Sequence, residues 1–223
     1  MSKRGHVSLS VIRRLPRYYR FLGDLMRIGF SRISSQELSQ RMGFTASQIR
    51  QDLNCFGGFG QQGYGYNVDL LHSELGTIMG TDMAYPIIII GAGNIGRALA
   101  MNIDFSAMGF RLSAIFDNNP AVIGTSIAGR RIMDVALLDS YCRENRPVAA
   151  VLTLPRSAAP SIASRLVDLG VKAFWNFSHY DFSVKYREKG IIVENVHLGD
   201  SLMTLCYLIK NSSGDESTIQ SSD

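Results

Sequence analysis

Pro86-Ile87-Ile88-Ile89-Ile90-Gly91-Ala92-Gly93-Asn94-Ile95-Gly96-Arg97-Ala98-Leu99-Ala100 is the stretch that decides the fold of this chain. A run of β-branched residues with no polar alternation reads as a strand buried on both faces. Glycines follow at G-x-G-x-x-G spacing, and a helical run follows them. That strand–turn–helix setting is what gives the spacing meaning. Gly91 makes the tight turn, Gly93 lets the backbone approach a pyrophosphate, and Gly96 lets the helix lie close to the strand. Ala92, Asn94 and Ile95 fill the loop between them. The helix start offers unpaired N–H groups and a partial positive charge to phosphates.

Downstream, strand and helix patterns alternate. Leu112–Phe116 reads as a strand ending in Asp117, 26 residues after Gly91. A carboxylate there binds both ribose hydroxyls and repels a 2′-phosphate, which favours NADH or NAD+ over the phosphorylated cofactors. Asp117 could instead simply open the turn at Asn118-Asn119-Pro120. A short hairpin is expected over Ile127–Ile132, a helix over Val135–Cys142, and a strand over Val148–Leu152. A helix over Ala158–Leu169 and strands over Val171–Trp175 and Ile191–Val193 complete an α/β Rossmann domain. Ligands in such sheets lie beyond the carboxyl ends of the strands. Thr153, Leu154, Pro155, Asn176 and Phe177 are therefore candidates for the nicotinamide end, or equally ordinary loop and core residues.

Upstream, the sequence changes character. Residues 1–68 carry ten Lys and Arg against three Asp and Glu, while the remainder is mildly acidic. A basic N-terminal third suggests contact with a polyanion. Leu15 to Arg27 reads as a helix with Pro16 in its first turn and Leu15, Tyr18, Tyr19, Leu22, Leu25 and Met26 on one face. Ser34 with Glu37 has capping-box spacing, and Gly43 suits a left-handed helix end. Thr45 with Gln48 repeats the box and opens a helix to about Cys55. Two short capped helices joined by a tight turn form a helix-turn-helix. The second would present Ser47, Gln48, Arg50 and Gln51 to base edges or phosphates. Phe56 to Val68 alternates glycine with aromatic residues and reads as a hairpin, hence a wing. Gly58, Gln61, Gln62 and Tyr64 are its candidate DNA contacts. A helix from Asp69 to Met79 completes an all-α-plus-wing module, and Gly80 to Tyr85 reads as a linker.

The 223 residues hold no apolar run of the roughly 18–20 residues that span a bilayer, and the N-terminal segment lacks the pattern of a secretory leader. Cys55, Cys142 and Cys206 show neither metal spacing nor a disulfide framework, so no metal is expected and a reducing cytoplasm is the simplest setting. Asp200 to Ile209 forms an apolar helix that requires burial, in the chain's own core or against a partner. The expected organisation is a winged helix-turn-helix over 1–80, a Rossmann domain over 81–198, a dimerisation helix over 199–211, and a disordered tail over 212–223.

The chain resembles the redox-sensing transcriptional repressor family Rex over about residues 8–210. The resemblance is carried by Arg14-Leu15-Pro16 with Tyr18-Tyr19-Arg20, Thr45 to Asp52, Gly57 to Tyr66, Gly91 to Gly96, and Val193-Glu194-Asn195-Val196. It implies a homodimer with an exchanged C-terminal helix that binds operator DNA and lets go when NADH is high. It implies DNA contacts at Ser47, Gln48, Arg50 and Gln51, to which Arg14 is added as a further candidate DNA contact, and cofactor contacts at Gly91, Gly93, Asn94, Ile95, Gly96 and Asp117. Some members carry Tyr near Asn102 and Asp at the position of His197. These departures put a switch that pairs such an acid with Arg20 in doubt here, and His197 could instead add a pH dependence.

A two-state dimer follows from these parts, in which cofactor binding changes the spacing of two reading helices. NADH has a neutral ring and NAD+ a charged one. An apolar ring pocket lined by Phe177, Pro155 and Leu198 of the partner subunit would favour NADH. The rival reading is an NAD-dependent oxidoreductase with a basic assembly module. Its acid–base candidates would be His179, His197 and Lys185, which form no recognisable catalytic constellation. A non-catalytic interaction module that binds NAD is a third reading.

Overall fold

The computed structural model describes residues 7–61 and 64–212, and the expected tail beyond Ser212 lies outside them. The chain divides into two compact units, residues 1–83 with 107–109, and residues 84–106 with 110–223.

The first unit contains α1 (Leu9–Ile12), α2 (Leu15–Arg27), β1 (Arg32–Ile33), α3 (Ser35–Met42), α4 (Ala46–Asn54), β2 (Gly60–Gln61), β3 (Gly65–Asn67) and α5 (Val68–Met79). Leu15, Tyr18, Leu22 and Leu25 face inward from α2 as the periodicity requires, whereas Met26 lies at the stripe's edge and is exposed. They pack with Leu38, Met42, Ile49, Leu53, Leu71 and Leu75 into one core. Tyr19 stacks on His72 of α5 at 4.0 Å between ring centres. The expected hairpin is the outer part of a three-stranded sheet in the order β1-β3-β2. β1 pairs Arg32 with Asn67 and Ile33 with Tyr66, which roots the wing in the segment between α2 and α3.

The second unit contains β4 (Tyr85–Ile90), α6 (Asn94–Asn102), β5 (Phe110–Asp117), β6 (Ser126–Ile127), β7 (Arg130–Asp134), α7 (Leu138–Asn145), β8 (Ala149–Leu152), α8 (Ala159–Asp168), β9 (Ala173–Asn176), β10 (Ile192–Asn195) and α9 (Leu198–Ser212). The sheet order is β10-β9-β8-β4-β5-β7-β6, parallel throughout except for the β6–β7 hairpin at one edge. The isoleucines of β4 serve both faces. Ile88 and Ile90 join Phe116, Leu138, Leu152 and Leu166 on one side. Ile87 and Ile89 join Ala100, Ile115 and Val151 on the other. Chain order reverses between β4 and β8, and that switch point is where open α/β sheets bind ligands.

Helix α9 buries none of its fifteen residues. Leu202, Met203, Leu205, Tyr207, Leu208 and Ile209 are each more than half exposed. Of the two burial places expected for this helix, the chain's own core is excluded.

Candidate nucleotide cradle and DNA-reading helix

The loop between β4 and α6 owes its shape to its glycines. Gly91 sits at φ +103°, and a Cβ there would lie 2.5 Å from the Thr153 carbonyl oxygen. A Cβ on Gly96 would come within 1.9 Å of the Gly91 carbonyl oxygen. Only glycine allows either approach. A Cβ on Gly93 would meet nothing within 4 Å, because this residue faces open space. Gly93 is also the N-cap of α6, and no side chain caps that helix. Asn94 and Ile95 are exposed in its first turn. The leading N–H groups of α6 therefore point at a space free of protein, the arrangement that receives a phosphate.

Asp117 ends β5 beside this loop. One of its carboxylate oxygens accepts from the Ala92 N–H at 2.6 Å and the other from the Asn119 N–H at 2.8 Å. These bonds fix the carboxylate at the loop and leave further lone pairs for a ribose. A cavity of about 280 Å³ opens here, lined by Ile90, Asp117, Val135, Leu154, Pro155 and Ile162 among others. Its walls are mostly apolar, with one carboxylate at the mouth. Leu154 and Pro155, two of the candidates for the nicotinamide end, line this cavity together with Asp117. Val135 and Ile162 escaped the sequence reading because they come from remote segments that meet only when the sheet forms.

Thr153 supports the loop from beneath. Its hydroxyl lies 3.0 Å from the Ile90 carbonyl oxygen and 2.7 Å from that of Gly91. Asn176 is fully buried, and its amide donates to the Tyr180 carbonyl and to the Asn195 side chain. It thus ties the ends of β9 and β10 together. Phe177 is buried edge-on against Trp175. Leu198, at the start of α9, is exposed. His197 and His179 stack, with their Nδ1 atoms 3.4 Å apart. Asn102 donates back to the Ala98 carbonyl within α6.

In the first unit, the Ser34–Glu37 box closes in full, whereas only half of the expected Thr45–Gln48 box forms, because the Gln48 side chain turns to Asp52 instead of the Thr45 N–H. Ser34 accepts from the Glu37 N–H, and the Glu37 carboxylate accepts from the Ser34 N–H. Those bonds hold the Glu37 carboxyl below its ordinary range. The Thr45 hydroxyl accepts from the Gln48 N–H at 3.1 Å. Ser47, Arg50, Gln51 and Asn54 form one exposed stripe on α4. Asn54 was not anticipated, although helical spacing places it there. Arg50 donates to the Ser35 hydroxyl at 2.9 Å, so α3 braces it. On the wing, Tyr64 is exposed with the Arg32 guanidinium 5.9 Å from its ring centre. Gly58 is exposed, and Gln62 lies outside the described residues.

The inward side of α4 holds a feature that sequence reasoning missed. Asp52 is 1% exposed. Arg14 donates to both its oxygens, from Nε at 2.6 Å and Nη2 at 2.7 Å. The Tyr18 hydroxyl donates at 2.8 Å and the Gln48 amide at 2.8 Å. Burial alone would raise the Asp52 carboxyl, but the bonds from Arg14, Tyr18 and Gln48 outweigh it and hold the group below the usual carboxylate range. Burial and the bond to Asp52 push the Tyr18 hydroxyl strongly upward. The bonds from Arg14, expected on DNA, and Tyr18 join α2 to α4, while the amide of Gln48, also expected on DNA, bonds the same carboxylate from within α4. The signal was available: Asp52 lies in the same helical stripe as buried Ile49 and Leu53, and an acid on an inward stripe requires a partner.

Comparison with known proteins agrees with both halves. Residues 6–54 match the family described as "Putative DNA-binding protein N-terminus", and residues 82–180 match the "CoA binding domain" family. The redox-sensing transcriptional repressor Rex of Clostridioides difficile is 50% identical over 205 residues, covering 92% of this chain and 96% of that protein. The crystal structure of RSP with β-NAD+ and operator DNA is 46% identical with a TM-score of 0.86, covering 98% of this chain and 100% of that one. RSP with β-NADH gives 45% identity and a TM-score of 0.86, covering 96% and 99%. The first relative is a repressor by name and RSP is described as a Rex-family repressor, and with the chain matched almost end to end, it belongs to the Rex family of redox-sensing transcriptional repressors.

Proposed function

We propose that this chain is a cytoplasmic, homodimeric repressor that holds palindromic operator DNA and releases it when NADH fills the cradle at Gly91–Gly96. The observation that carries the reading is the uncapped start of α6 over an open glycine, beside Asp117, in the same chain as the capped helix pair α3–α4. The residues suit the cofactor. The α6 N–H groups face the place of a pyrophosphate, Asp117 that of a ribose, and the cavity along Val135, Leu154, Pro155 and Ile162 that of an adenine.

On the DNA side, Ser47, Arg50 and Gln51 are the reading residues, and Asn54 extends the stripe. Arg14 acts through Asp52 to set the angle of α4, and Gln48 steadies that carboxylate from within the helix. The wing, with Gly58, Gln61, Gln62 and Tyr64, follows the adjoining backbone. Helix α9 supplies the apolar surface for dimerisation, exchanged between subunits, so the working boundaries remain 1–80, 81–198 and 199–211 with a short tail. Two reading helices must then sit roughly 34–36 Å apart on one face of the duplex. Cofactor binding between subunits alters that distance. Switching from almost fully bound to almost fully free requires about 5.5 kcal/mol of differential affinity, which two coupled sites share. By linkage, DNA must weaken NADH binding by the same factor. A neutral reduced ring near Phe177 and Leu198 of the partner subunit is favoured over the charged oxidised ring.

Fluorescence anisotropy of a labelled palindromic duplex, with and without NADH, tests the reading. NADH should lower duplex affinity at least tenfold, and NAD+ far less. Unchanged affinity at saturating NADH would overturn it.

A further inference from the structure

We infer that the second unit carries another binding site, for a small phosphorylated molecule, at the end of the sheet opposite the glycine cradle. A cavity of about 510 Å³ lies where α7 and α8 end and β8 and β9 begin. That size falls in the range of small-molecule pockets. Three cations line it, Arg143, Arg146 and Lys172, and no acid does. Among the described residues, none of the three forms an ion pair or a side-chain hydrogen bond. All three are exposed toward solvent. Pro147, Val148 and Leu169 supply an apolar wall, and the Cys142 thiol on the floor is buried. Burial pushes that thiol up to about 11, so it stays protonated and adds no negative charge.

Helix ends attract cations, and Arg143 in the last turn of α7 needs no other account. Lys172 does, because it stands at the entrance of a strand. Arg146 does even more. It caps α7 at φ +45°, in the left-handed region where L side chains are rare. At the neighbouring end of α8 the left-handed residue is Gly170, at φ +93°. Both sites need the same turn, yet one has glycine and the other keeps an arginine in a conformation that glycine adopts more easily. Strain kept at a side chain facing a cavity points to a use for that side chain. Guanidinium forks match phosphoryl oxygens in geometry as well as charge, and an ammonium adds a third point of contact. A phosphate would sit among the three cations, with any ring of the ligand against Pro147, Val148 and Leu169.

The inference does not depend on the redox-sensing reading. Calorimetric titration of full-length protein, with saturating NADH present throughout, compares inorganic phosphate and AMP as probes. Two variants accompany the wild type, Arg146→Gly and the double change Arg143→Gln with Lys172→Gln. Arg146→Gly relieves the strained turn, so its melting temperature should equal or exceed that of wild type. Both variants should bind the preferred probe at least tenfold more weakly. Loss of both probes marks a phosphate site, a wild type that binds AMP but not inorganic phosphate marks one that also reads the nucleoside, and variants that keep inorganic phosphate binding overturn the inference. Equal binding by all three proteins, or no binding to wild type at millimolar probe, overturns the inference.

Discussion

Helices α4 and α6 begin with the same chemical problem and solve it in opposite ways. Each opens with N–H groups that have no partner inside the helix. At α4 the Thr45 hydroxyl takes one of them, and Asp52 on the same helix gathers Arg14, Tyr18 and Gln48 into a buried cluster. At α6 nothing takes them, because Gly93 has no side chain and faces open space. The first helix is finished by the chain itself. The second is left incomplete for an anion to finish. Satisfied donors mark an element positioned in advance, whereas unsatisfied ones at an open glycine mark an element that waits for a ligand.

That contrast is sharpest at Asp52. Asp52→Ala strands Arg14 and the Tyr18 hydroxyl and should cost about 3–5 kcal/mol in the first unit. Far-UV circular dichroism in urea should show α2–α5 melting early. The fluorescence of Trp175, the sole tryptophan, should still report a folded second unit that binds NADH. Equal losses in both units would erase the distinction drawn between them. Acid probes the same cluster reversibly. The folded Asp52 carboxyl lies below its unfolded range, so its stabilisation is full above about pH 4 and disappears as pH falls through the lower folded value. Asp52→Asn should flatten that part of the pH profile.

Gly96→Ala comes next. Its Cβ would strike the Gly91 carbonyl, which should cost about 1–3 kcal/mol by overpacking and abolish NADH binding measured by cofactor fluorescence. Thr45→Ala removes one cap and should cost about 1 kcal/mol in the first unit with NADH affinity unchanged. Gly93→Ala should have the smallest effect on stability, within about 0.5 kcal/mol, because the new methyl meets no protein atom. It should nevertheless weaken NADH at least tenfold, since that space is the one proposed for the pyrophosphate. A Gly93→Ala protein that binds NADH normally would show the opening at α6 to be incidental.

Local chemistry was legible in advance, and distant chemistry was not. The bounds of α2, the Ser34–Glu37 box, the left-handed Gly43 and the β4–glycine–α6 passage all depend on residues within a few positions of one another, and each appears as read. Asp52 acquires its role from Arg14, 38 residues away, and looks like an ordinary helix residue until its inward stripe is noticed. Likewise Val135, Leu154 and Ile162 become one wall only after the crossovers bring the ends of β7 and β8 and the first turn of α8 together. Two-residue β1 shows no periodicity at all and is visible only through its pairing with β3.

Helix α9 has a thermodynamic consequence. A helix this oily has to be covered, and whatever covers it enters the unfolding equilibrium as a reactant. If the cover is a second copy, the midpoint of thermal unfolding climbs with the amount of protein in the tube. Dilution would then act as a denaturant, and the cell's copy number would itself help decide how much working regulator exists.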